Sequence, residues 1–392
     1  MPEITLRPIT GEERLAIWRL HGGYAFRPTP PLPDAAAFGH ILDTLDDALH
    51  VALFEDGHAL ASCANSPMTQ NVRGALYPMG GVWGVATMPE GRRKGYARQM
   101  LGYLLAEARK LGQAFSMLYP FRESFYERLG YITFPLGRLI QFETTALAPL
   151  LKRELRGTVR LYHTPEEGIP AFREYLHQVQ PGVHGMAVVG DKALNSRFFG
   201  GDYWIALAQV DARTIGSMLY RIDPGERVIT LRDFLYSDYD GLMLLLEWLA
   251  RHIDHAHRIR MTIPAFAQPE TWITDLHPQV EAQQTPLGRI IDVGRIGGMQ
   301  VGEGTFTAQI VDDLCPWNTG IYCFASVEGI LEVSPASSAE CSLTIQALSA
   351  LVYGTVDPGL FVHHGWGDPS PAQQQTLRRL FPPMLPHLNE KF

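Results

Sequence analysis

The chain of 392 residues exceeds what one hydrophobic core usually supports, and its length predicts two or three domains. Apolar residues make up 46% of it, which excludes an intrinsically disordered chain, and the net charge of −8 argues against nucleic acid as a partner. No apolar run reaches the roughly 18 residues of a membrane-spanning helix, and residues 1–20 lack a signal-peptide core. We expect a cytoplasmic protein. The four cysteines form no CxxC pair, which disfavours structural zinc.

The first third of the chain predicts strands alternating with helices, as in an α/β or α+β sheet domain. Its apolar runs are separated by the Asp56-Gly57 turn and by a polar stretch at 70–74. The pattern at 92–110 predicts a helix with one apolar face. We expect a domain at 1–150. Its strands are predicted at 3–7, 51–55, 59–66, 75–86 and 114–118, and its helices at 11–20, 36–49, 92–110 and 124–129.

The middle third repeats this pattern with three strands, a helix and a further strand. The segment from Gly95 to Pro120 has a counterpart of similar length from Gly241 to Pro264. The repetition predicts an internal structural duplication, with a second domain at 151–290. Its strands are predicted at 203–209, 216–222, 227–235 and 258–263, and its helix at 241–252.

The last third begins with a glycine-rich stretch at 294–304, and we expect a third domain at 291–392. The final residues, 381–392, hold three prolines and five apolar side chains, so they are predicted to dock on the protein without forming a helix. Strands are predicted at 305–311, 321–327 and 330–333, and helices at 344–353 and 371–380.

The segment 82–99 carries the strongest chemical signal. An apolar strand is followed by four cations near the start of a predicted helix, where the helix macrodipole favours anions. A bound pyrophosphate would resolve this conflict, and Gly95 would let it approach the backbone N–H groups. A solvated run of charges is the alternative. The segment contains neither GxxxxGK[ST] nor GxGxxG, which excludes the P-loop and the dinucleotide fingerprint.

This segment resembles the motif [QR]-x-x-G-x-[GA] of GNAT acetyltransferases, which Arg92-Arg93-Lys94-Gly95-Tyr96-Ala97 matches. The typical GNAT ending, a tyrosine-bearing helix followed by Gly-Tyr, is matched at 125–131. The whole chain resembles the Eis (enhanced intracellular survival) family of aminoglycoside and amine N-acetyltransferases, which are usually hexameric. The resemblance implies an α/β (α+β) protein with tandem GNAT folds followed by a sterol-carrier-protein-like domain. It also implies acetyl-CoA as cosubstrate and a homo-oligomer, a hexamer.

The resemblance assigns roles to individual residues. Tyr126 is expected to act as the general acid, and the terminal carboxylate of Phe392 as the general base. Because a phenol of pKa near 10 is a weak acid toward a thiolate near 8.5, we expect surroundings that lower the pKa of Tyr126. The backbone at 85–87 would pair with the pantetheine. The expected acetyl-CoA contacts are Val85, Ala86, Thr87, Arg92, Arg93, Lys94, Gly95, Tyr96 and Ala97.

A cationic amine as substrate requires aromatic or acidic surroundings. Tyr24, Phe26 and Trp83 offer apolar and cation–π contacts, and Glu390 offers negative charge. At 237–240 the second domain has aspartates where the first has arginines. We therefore expect the second domain to bind no coenzyme A and to form a wall of the substrate pocket.

Two other functions stay open: a non-catalytic acyl-CoA-sensing or lipid-binding protein, and a protein lysine acetyltransferase. The histidines at 252–257 lie near the end of a predicted helix, where histidine suits the helix dipole. Those at 363–364 lack acidic or cysteine partners at metal-ligand spacing, and Cys63 lies in an apolar strand. Structural roles are expected for all of them. The predicted partner is thus a small-molecule amine, with no metal, no nucleic acid and no membrane.

Overall fold

The computed structural model describes residues 2–27, 29–43, 47–196 and 203–391. They form two compact units. Unit 1 comprises 1–134, 184–196 and 286–392, and unit 2 comprises 135–183 and 197–285. The interleaving arises because the chain leaves unit 1 twice and returns to it twice. The division into three domains stays a prediction.

The strands and helices are numbered in chain order over both units. The strands are β1 (Ile4–Pro8), β2 (Leu49–Glu55), β3 (His58–Val72), β4 (Ala75–Thr87), β5 (Phe115–Leu118), β6 (Ile132–Thr133), β7 (Arg138–Glu143), β8 (Thr158–Tyr162), β9 (Ala187–Val189), β10 (Trp204–Val210), β11 (Arg213–Asp223), β12 (Val228–Tyr236), β13 (Arg258–Ile263), β14 (Gln279–Ala282), β15 (Leu287–Ile290), β16 (Thr305–Val311), β17 (Gly320–Val327), β18 (Ile330–Pro335) and β19 (Cys341–Thr344). The helices are α1 (Gly11–Phe26), α2 (Ala35–Asp43), α3 (Tyr96–Lys110), α4 (Glu123–Glu127), α5 (Pro165–Val179), α6 (Asp191–Ser196), α7 (Tyr239–Ala250), α8 (Ile345–Tyr353), α9 (Phe361–His364) and α10 (Pro371–Leu380).

The larger sheet of unit 1 has the strand order β1-β2-β3-β4-β5-β15-β6, with β9 beside β3. β1 to β4 run antiparallel, whereas β4 and β5 are parallel. A parallel pair needs a crossover connection, which α3 supplies. One face of α3 is buried because apolar residues recur at helical spacing, at Met100, Leu101, Leu104, Leu105 and Ala108. This crossover fixes where β4 ends and α3 begins.

The second sheet of unit 1 belongs to the C-terminal part of the chain and has the order β18-β17-β16-β19. β16 alternates buried and more exposed residues, so one of its faces packs on the core. Arg289 of β15 forms a fully buried ion pair with Asp312, which follows β16. The C-terminal part is thereby joined to the larger sheet within unit 1.

Unit 2 repeats the topology of the larger sheet, which confirms the predicted duplication. Its order is β14-β7-β13-β12-β11-β10-β8. Three antiparallel pairings, from β8 through β10 and β11 to β12, precede the parallel pair of β12 and β13. The helix α7 connects that parallel pair, as α3 connects β4 and β5.

Four sequence predictions were wrong at element boundaries. The helix predicted at 11–20 continues to Phe26. The helix predicted at 92–110 begins at Tyr96, so Arg92, Arg93 and Lys94 lie in the turn before it. The helix predicted at 36–49 ends at Asp43, and Leu49 begins β2. Of the polar stretch at 70–74, only Arg73 and Gly74 form a turn, because β3 continues to Val72.

The C-terminal tail docks on unit 1, as predicted, and its described residues, 381–391, form neither helix nor strand. Leu388 and Glu390 are buried. Within the described part of the chain, no helix combines the length and apolarity needed to cross a membrane.

Candidate active site

The strands β4 and β5 stop pairing before β4 ends. The two strands pair from Met79 and Phe115 to Val82 and Leu118. β5 ends at Leu118, but β4 continues to Thr87, and none of the described strands pairs with β4 beyond Val82 on this side. The backbone of residues 83–87 is therefore a free strand edge, to which an extended ligand can add as a strand. Val85, Ala86 and Thr87 lie on this edge.

A β-bulge shapes the same edge. Ser62 pairs with Ala86 but Ala64 pairs with Trp83, so two residues of β4, Gly84 and Val85, lie opposite one residue of β3. Gly84 has a φ of +62°, and a Cβ there would overlap the Trp18 ring of α1. Only glycine satisfies both conditions. The bulge redirects the backbone at Val85, which is how strands aim groups at sites.

The start of α3 is an uncapped helix N-terminus. Gly95 is its N-cap residue, with a φ of +80°, and no side chain caps the helix. The first N–H bonded within the helix belongs to Gln99, which donates to Gly95 O. Among the described residues, the N–H groups of 96–98 have no acceptor. Three aligned donors and the positive end of the helix dipole form an anion site.

The matching helix of unit 2 begins differently. Asp238 is the N-cap of α7, and its carboxylate accepts a hydrogen bond of 2.9 Å from Gly241 N–H. A negative charge of the protein thus occupies the place where α3 leaves its donors open. This supports the expectation that coenzyme A binds only the first domain.

The cations around the start of α3 have different partners. Arg92 donates to Thr87 O, and its guanidinium lies 5.8 Å from the centre of the Tyr24 ring. Lys94 forms an exposed ion pair of 2.7 Å with Glu55, whose pKa is lowered by that contact. Arg93 has no ion-pair or hydrogen-bond partner within the part of the chain described. Arg92 and Arg93 are therefore the cations available to a phosphate.

Tyr126 lies in α4 and is 3% exposed. Its ring contacts Phe121, Phe125 and Tyr131, with centroids 5.0 to 6.0 Å away. Burial raises the pKa of Tyr126, so the expectation that its surroundings lower the pKa was wrong. The phenol is fully protonated at neutral pH.

The tail reaches the end of β5. Tyr119 follows directly after β5, and its hydroxyl donates to Glu390 O at 2.8 Å. One residue earlier, Asn389 Oδ1 accepts from Ala187 N–H at 3.0 Å. Phe392 lies outside the described residues. Two further residues span at most about 7 Å, which limits the distance of the terminus from Glu390.

The predicted aromatic substrate contacts lie in two places. Trp83 packs against Trp18 and His50, at centroid distances of 4.8 and 5.6 Å, and its Nε1 donates to Ser66. Tyr24 lies beside Arg92, and Phe26, at the end of α1, is 63% exposed. Among the described residues, no ring contact joins Tyr24 or Phe26 to Trp83.

The remaining candidates have structural surroundings. His252 Nδ1 contacts Trp248 O at 2.9 Å, His364 stacks on Trp366, and Cys63 is buried. In the described ranges, no group of three or more histidine, cysteine or acidic residues could hold a metal ion.

Sequence reasoning missed Trp18, Gly84 and Tyr119. The pattern Gly80-Gly81-Val82-Trp83-Gly84 in a strand is a signal for Gly84, because glycine in a strand marks bulges and close approaches. Trp18 and Tyr119 carry no local signal, since their partners Gly84 and Glu390 lie far away in sequence.

Comparison with known proteins identifies two parts of the chain. Residues 5–134 match the acetyltransferase (GNAT) domain, and residues 296–389 match the sterol carrier protein domain. None of the curated proteins matches the chain.

Several solved structures resemble the whole chain. A probable N-acyltransferase from Enterococcus faecalis V583 is 18% identical, with a TM-score of 0.85 over 100% of both chains. A GCN5-related N-acetyltransferase from Anabaena variabilis ATCC 29413 is 16% identical, with a TM-score of 0.85 over 100% of both chains. Eis1 from Mycobacterium abscessus is 16% identical, with a TM-score of 0.78 over the same coverage. At these identities the likeness concerns the fold. The domain match shows that residues 5–134 form an acetyltransferase domain of the GNAT type.

Proposed function

We propose that the protein transfers the acetyl group of acetyl-CoA to a cationic amine, with Tyr126 as general acid and the carboxylate of Phe392 as general base. The hydrogen bond between Tyr119 and Glu390 carries this proposal. It holds Glu390, two residues before Phe392, beside Tyr119, directly after the point where β4 and β5 stop pairing. Tyr126 lies near the same end of β5, since it belongs to one core cluster with Leu118 and its ring contacts Phe121, two residues after Tyr119.

Acetyl-CoA binding follows from the free strand edge and the uncapped helix. The pantetheine adds to the edge at Val85, Ala86 and Thr87, and the pyrophosphate accepts from the N–H groups at the start of α3. Arg92 and Arg93 supply charge, and Lys94 can join them by exchanging Glu55 for phosphate. Gly95, Tyr96 and Ala97 supply the backbone.

The chemistry needs two proton transfers. The neutral amine attacks the thioester carbonyl, and a backbone N–H at the bulge stabilises the oxyanion. The terminal carboxylate accepts the proton of the attacking nitrogen, directly or through water. When the C–S bond breaks, the coenzyme A thiolate takes the phenolic proton of Tyr126. The products are an acetylated amine and coenzyme A.

The acceptor belongs to the class of aminoglycosides and other polyamines. Trp83 and the aromatic residues Tyr24 and Phe26 would contact its apolar faces and cations, and the buried Glu390 adds negative charge. In this proposal the domain at 1–150 catalyses, 151–290 forms a wall of the pocket, and 291–392 delivers the terminus. The family resemblance favours a homo-hexamer, and the composition of the chain favours a cytoplasmic location.

Removal of Phe392 tests the general base. Thiol release from acetyl-CoA is measured with kanamycin, spermidine and Nα-acetyl-lysine amide for the full chain, for a chain lacking Phe392 and for Phe392→Leu. The shortened chain should lose about 10²- to 10⁴-fold in kcat, the range of a general base. Phe392→Leu keeps the carboxylate in place and should retain most activity.

Two outcomes would contradict the proposal. Equal kcat in the full and shortened chains would exclude the terminal carboxylate as base. Thiol release with Nα-acetyl-lysine amide but not with kanamycin or spermidine would exclude polyamines as acceptors and favour protein lysine acetylation.

A further inference from the structure

An arginine lies buried at the tip of the β3–β4 hairpin, where exposed residues are usual. Arg73 is 1% exposed and has a φ of +50°, a conformation that is unfavourable for a non-glycine residue. The next residue, Gly74, also has a positive φ, of +81°, so the two form a tight two-residue turn. A strained, desolvated cation at a hairpin tip requires strong compensating contacts.

Those contacts are carbonyl groups. Arg73 Nε donates to Val352 O at 2.6 Å, and its Nη2 donates to Leu351 O and Pro382 O, both at 2.9 Å. Leu351 and Val352 end α8, where the helix dipole favours a cation. Pro382 belongs to the tail. Among the described residues, no carboxylate pairs with Arg73.

The same turn holds the tail at a second point. Arg73 N–H donates to His184 Nδ1 at 3.1 Å, and His184 Nε2 donates to Tyr353 O at 3.1 Å. His184 O accepts from His387 N–H at 2.8 Å. Arg73 therefore fixes the tail directly at Pro382 and, through His184, at His387.

We propose that Arg73 is a positioning residue that holds the C-terminal tail so that its terminal carboxylate meets the acceptor amine; this inference rests on the proposed function. Between Pro382 and Glu390 the tail has neither helix nor strand, and side chains and carbonyls of distant segments fix its path. Without Arg73 the segment 382–387 gains freedom, and the carboxylate spends less time at the reacting nitrogen.

The first experiment follows the tail itself and needs no substrate. Amide hydrogen exchange of residues 384–391 is compared in the full-length protein, in Arg73→Met and in Leu348→Ala. Leu348→Ala opens a cavity under α8 without removing a hydrogen bond to the tail, and so controls for lost stability. Arg73→Met should speed exchange of the tail amides at least tenfold, whereas Leu348→Ala should not. Unchanged tail protection in Arg73→Met would overturn the proposal.

The second experiment measures kcat and KM with kanamycin and spermidine. Arg73→Met should lower kcat about 10- to 100-fold and leave the KM for acetyl-CoA unchanged. Arg73→Lys keeps a cation but not the fork of donors, and should recover part of the loss. In the chain lacking Phe392, Arg73→Met should cause no further loss, because both changes act through the carboxylate.

The two proposals fail in different ways. Full activity without Phe392 contradicts the terminal base, while the exchange experiment still decides whether Arg73 holds the tail. Loss of activity without Phe392 but wild-type kcat in Arg73→Met contradicts the positioning role alone. An additional loss in the double variant would likewise overturn it.

Discussion

At the scale of a single residue, Tyr126 combines a buried position with the demanding role of general acid that we propose for it. Burial raises its pKa above the usual 10, so proton donation to a thiolate of pKa about 8.5 is uphill by more than about 1.5 units, or 2 kcal/mol. An enzyme with a kcat near 10 s⁻¹ has an activation free energy of about 16 kcal/mol, which is much larger than the cost of this proton transfer. The raised pKa has an advantage, because the acid stays protonated at every physiological pH.

This argument predicts the pH dependence of the acid. Tyr126→Phe should lower kcat about 10²-fold or more, the loss of a general acid. In the wild-type protein, deprotonation of Tyr126 should lower kcat only above pH 10, since the pKa of this phenol is raised. The measurement is a pH profile of kcat with kanamycin. An alkaline limb near pH 8 that disappears in Tyr126→Phe would contradict the burial argument.

The sequence predicts the identity of Tyr126 but not its environment. The motif at 125–131 is local, and its tyrosine can be named without a structure. The neighbours that desolvate the phenol include Cys63 of β3, which no pattern in the sequence places beside it. Arg73 is a similar case, because its acceptors at 351, 352 and 382 lie nearly 300 residues away.

At the scale of the element, α3 and α7 occupy equivalent positions in a repeated fold, but their N-termini are capped differently. Gly95 leaves the first helix open to an anion, and Asp238 closes the second with its own carboxylate. The sequence shows this contrast, since arginines stand before one helix and aspartates before the other. The sequence does not show that the cations at 92–94 lie outside α3. They do so because the backbone forms a turn before the helix, with positive φ values at Arg93 and Gly95.

A pair of substitutions at Gly95 separates charge from conformation. Asp and Asn have nearly the same shape and both tolerate a positive φ better than other residues, and a Cβ at Gly95 meets no atom within 4 Å. Gly95→Asp should raise the KM for acetyl-CoA at least tenfold more than Gly95→Asn, because only aspartate repels phosphate. Titration calorimetry with coenzyme A checks binding without catalysis. Equal effects of the two substitutions would contradict an anion site at α3.

Strands with regular alternation were predicted to the residue, as at Arg258–Ile263 and Thr305–Val311. The end of β3 was missed because its polar residues looked like a loop. Gln70 is buried there and donates to Gly185 O, 115 residues away, so a distant partner makes the polar strand stable. Local patterns cannot show such partners.

At the scale of the whole molecule, unit 1 depends on contacts between the two ends of the chain. β15 pairs with β5. In the tail, His387 N–H donates a hydrogen bond to His184 O, and Glu390 O accepts one from the Tyr119 hydroxyl. The sequence predicts a docked tail from its apolar residues, but the docking site requires the fold. In the proposed function, activity depends on stability here, since the groups that hold the tail at 382–390 include buried residues of unit 1.

His184 makes that docking sensitive to acid. Its Nδ1 accepts a hydrogen bond from Arg73 N–H, and its Nε2 donates one to Tyr353 O. The neutral ring therefore satisfies both contacts, whereas a second proton, on Nδ1, would point at the Arg73 N–H. Burial, with the nearby Arg73 charge, lowers the pKa of His184 to about 4, from 6.5 when unfolded. Above pH 6.5 both states are neutral. Between pH 6.5 and 4 only the unfolded state binds the proton. The free energy of unfolding therefore decreases as the pH is lowered, by about 3 kcal/mol in total.

The variant His184→Gln isolates this contribution, because glutamine keeps a donor and an acceptor but does not titrate. Other groups also lose stability in acid, so the difference between the two proteins is what matters. Urea unfolding at pH 7, 5.5 and 4 should show the wild type losing about 3 kcal/mol more than His184→Gln over this range. The extra loss should be accompanied by faster hydrogen exchange in the tail, since His184 holds His387. Parallel curves for the two proteins would show that His184 is not the acid-sensitive contact of the tail.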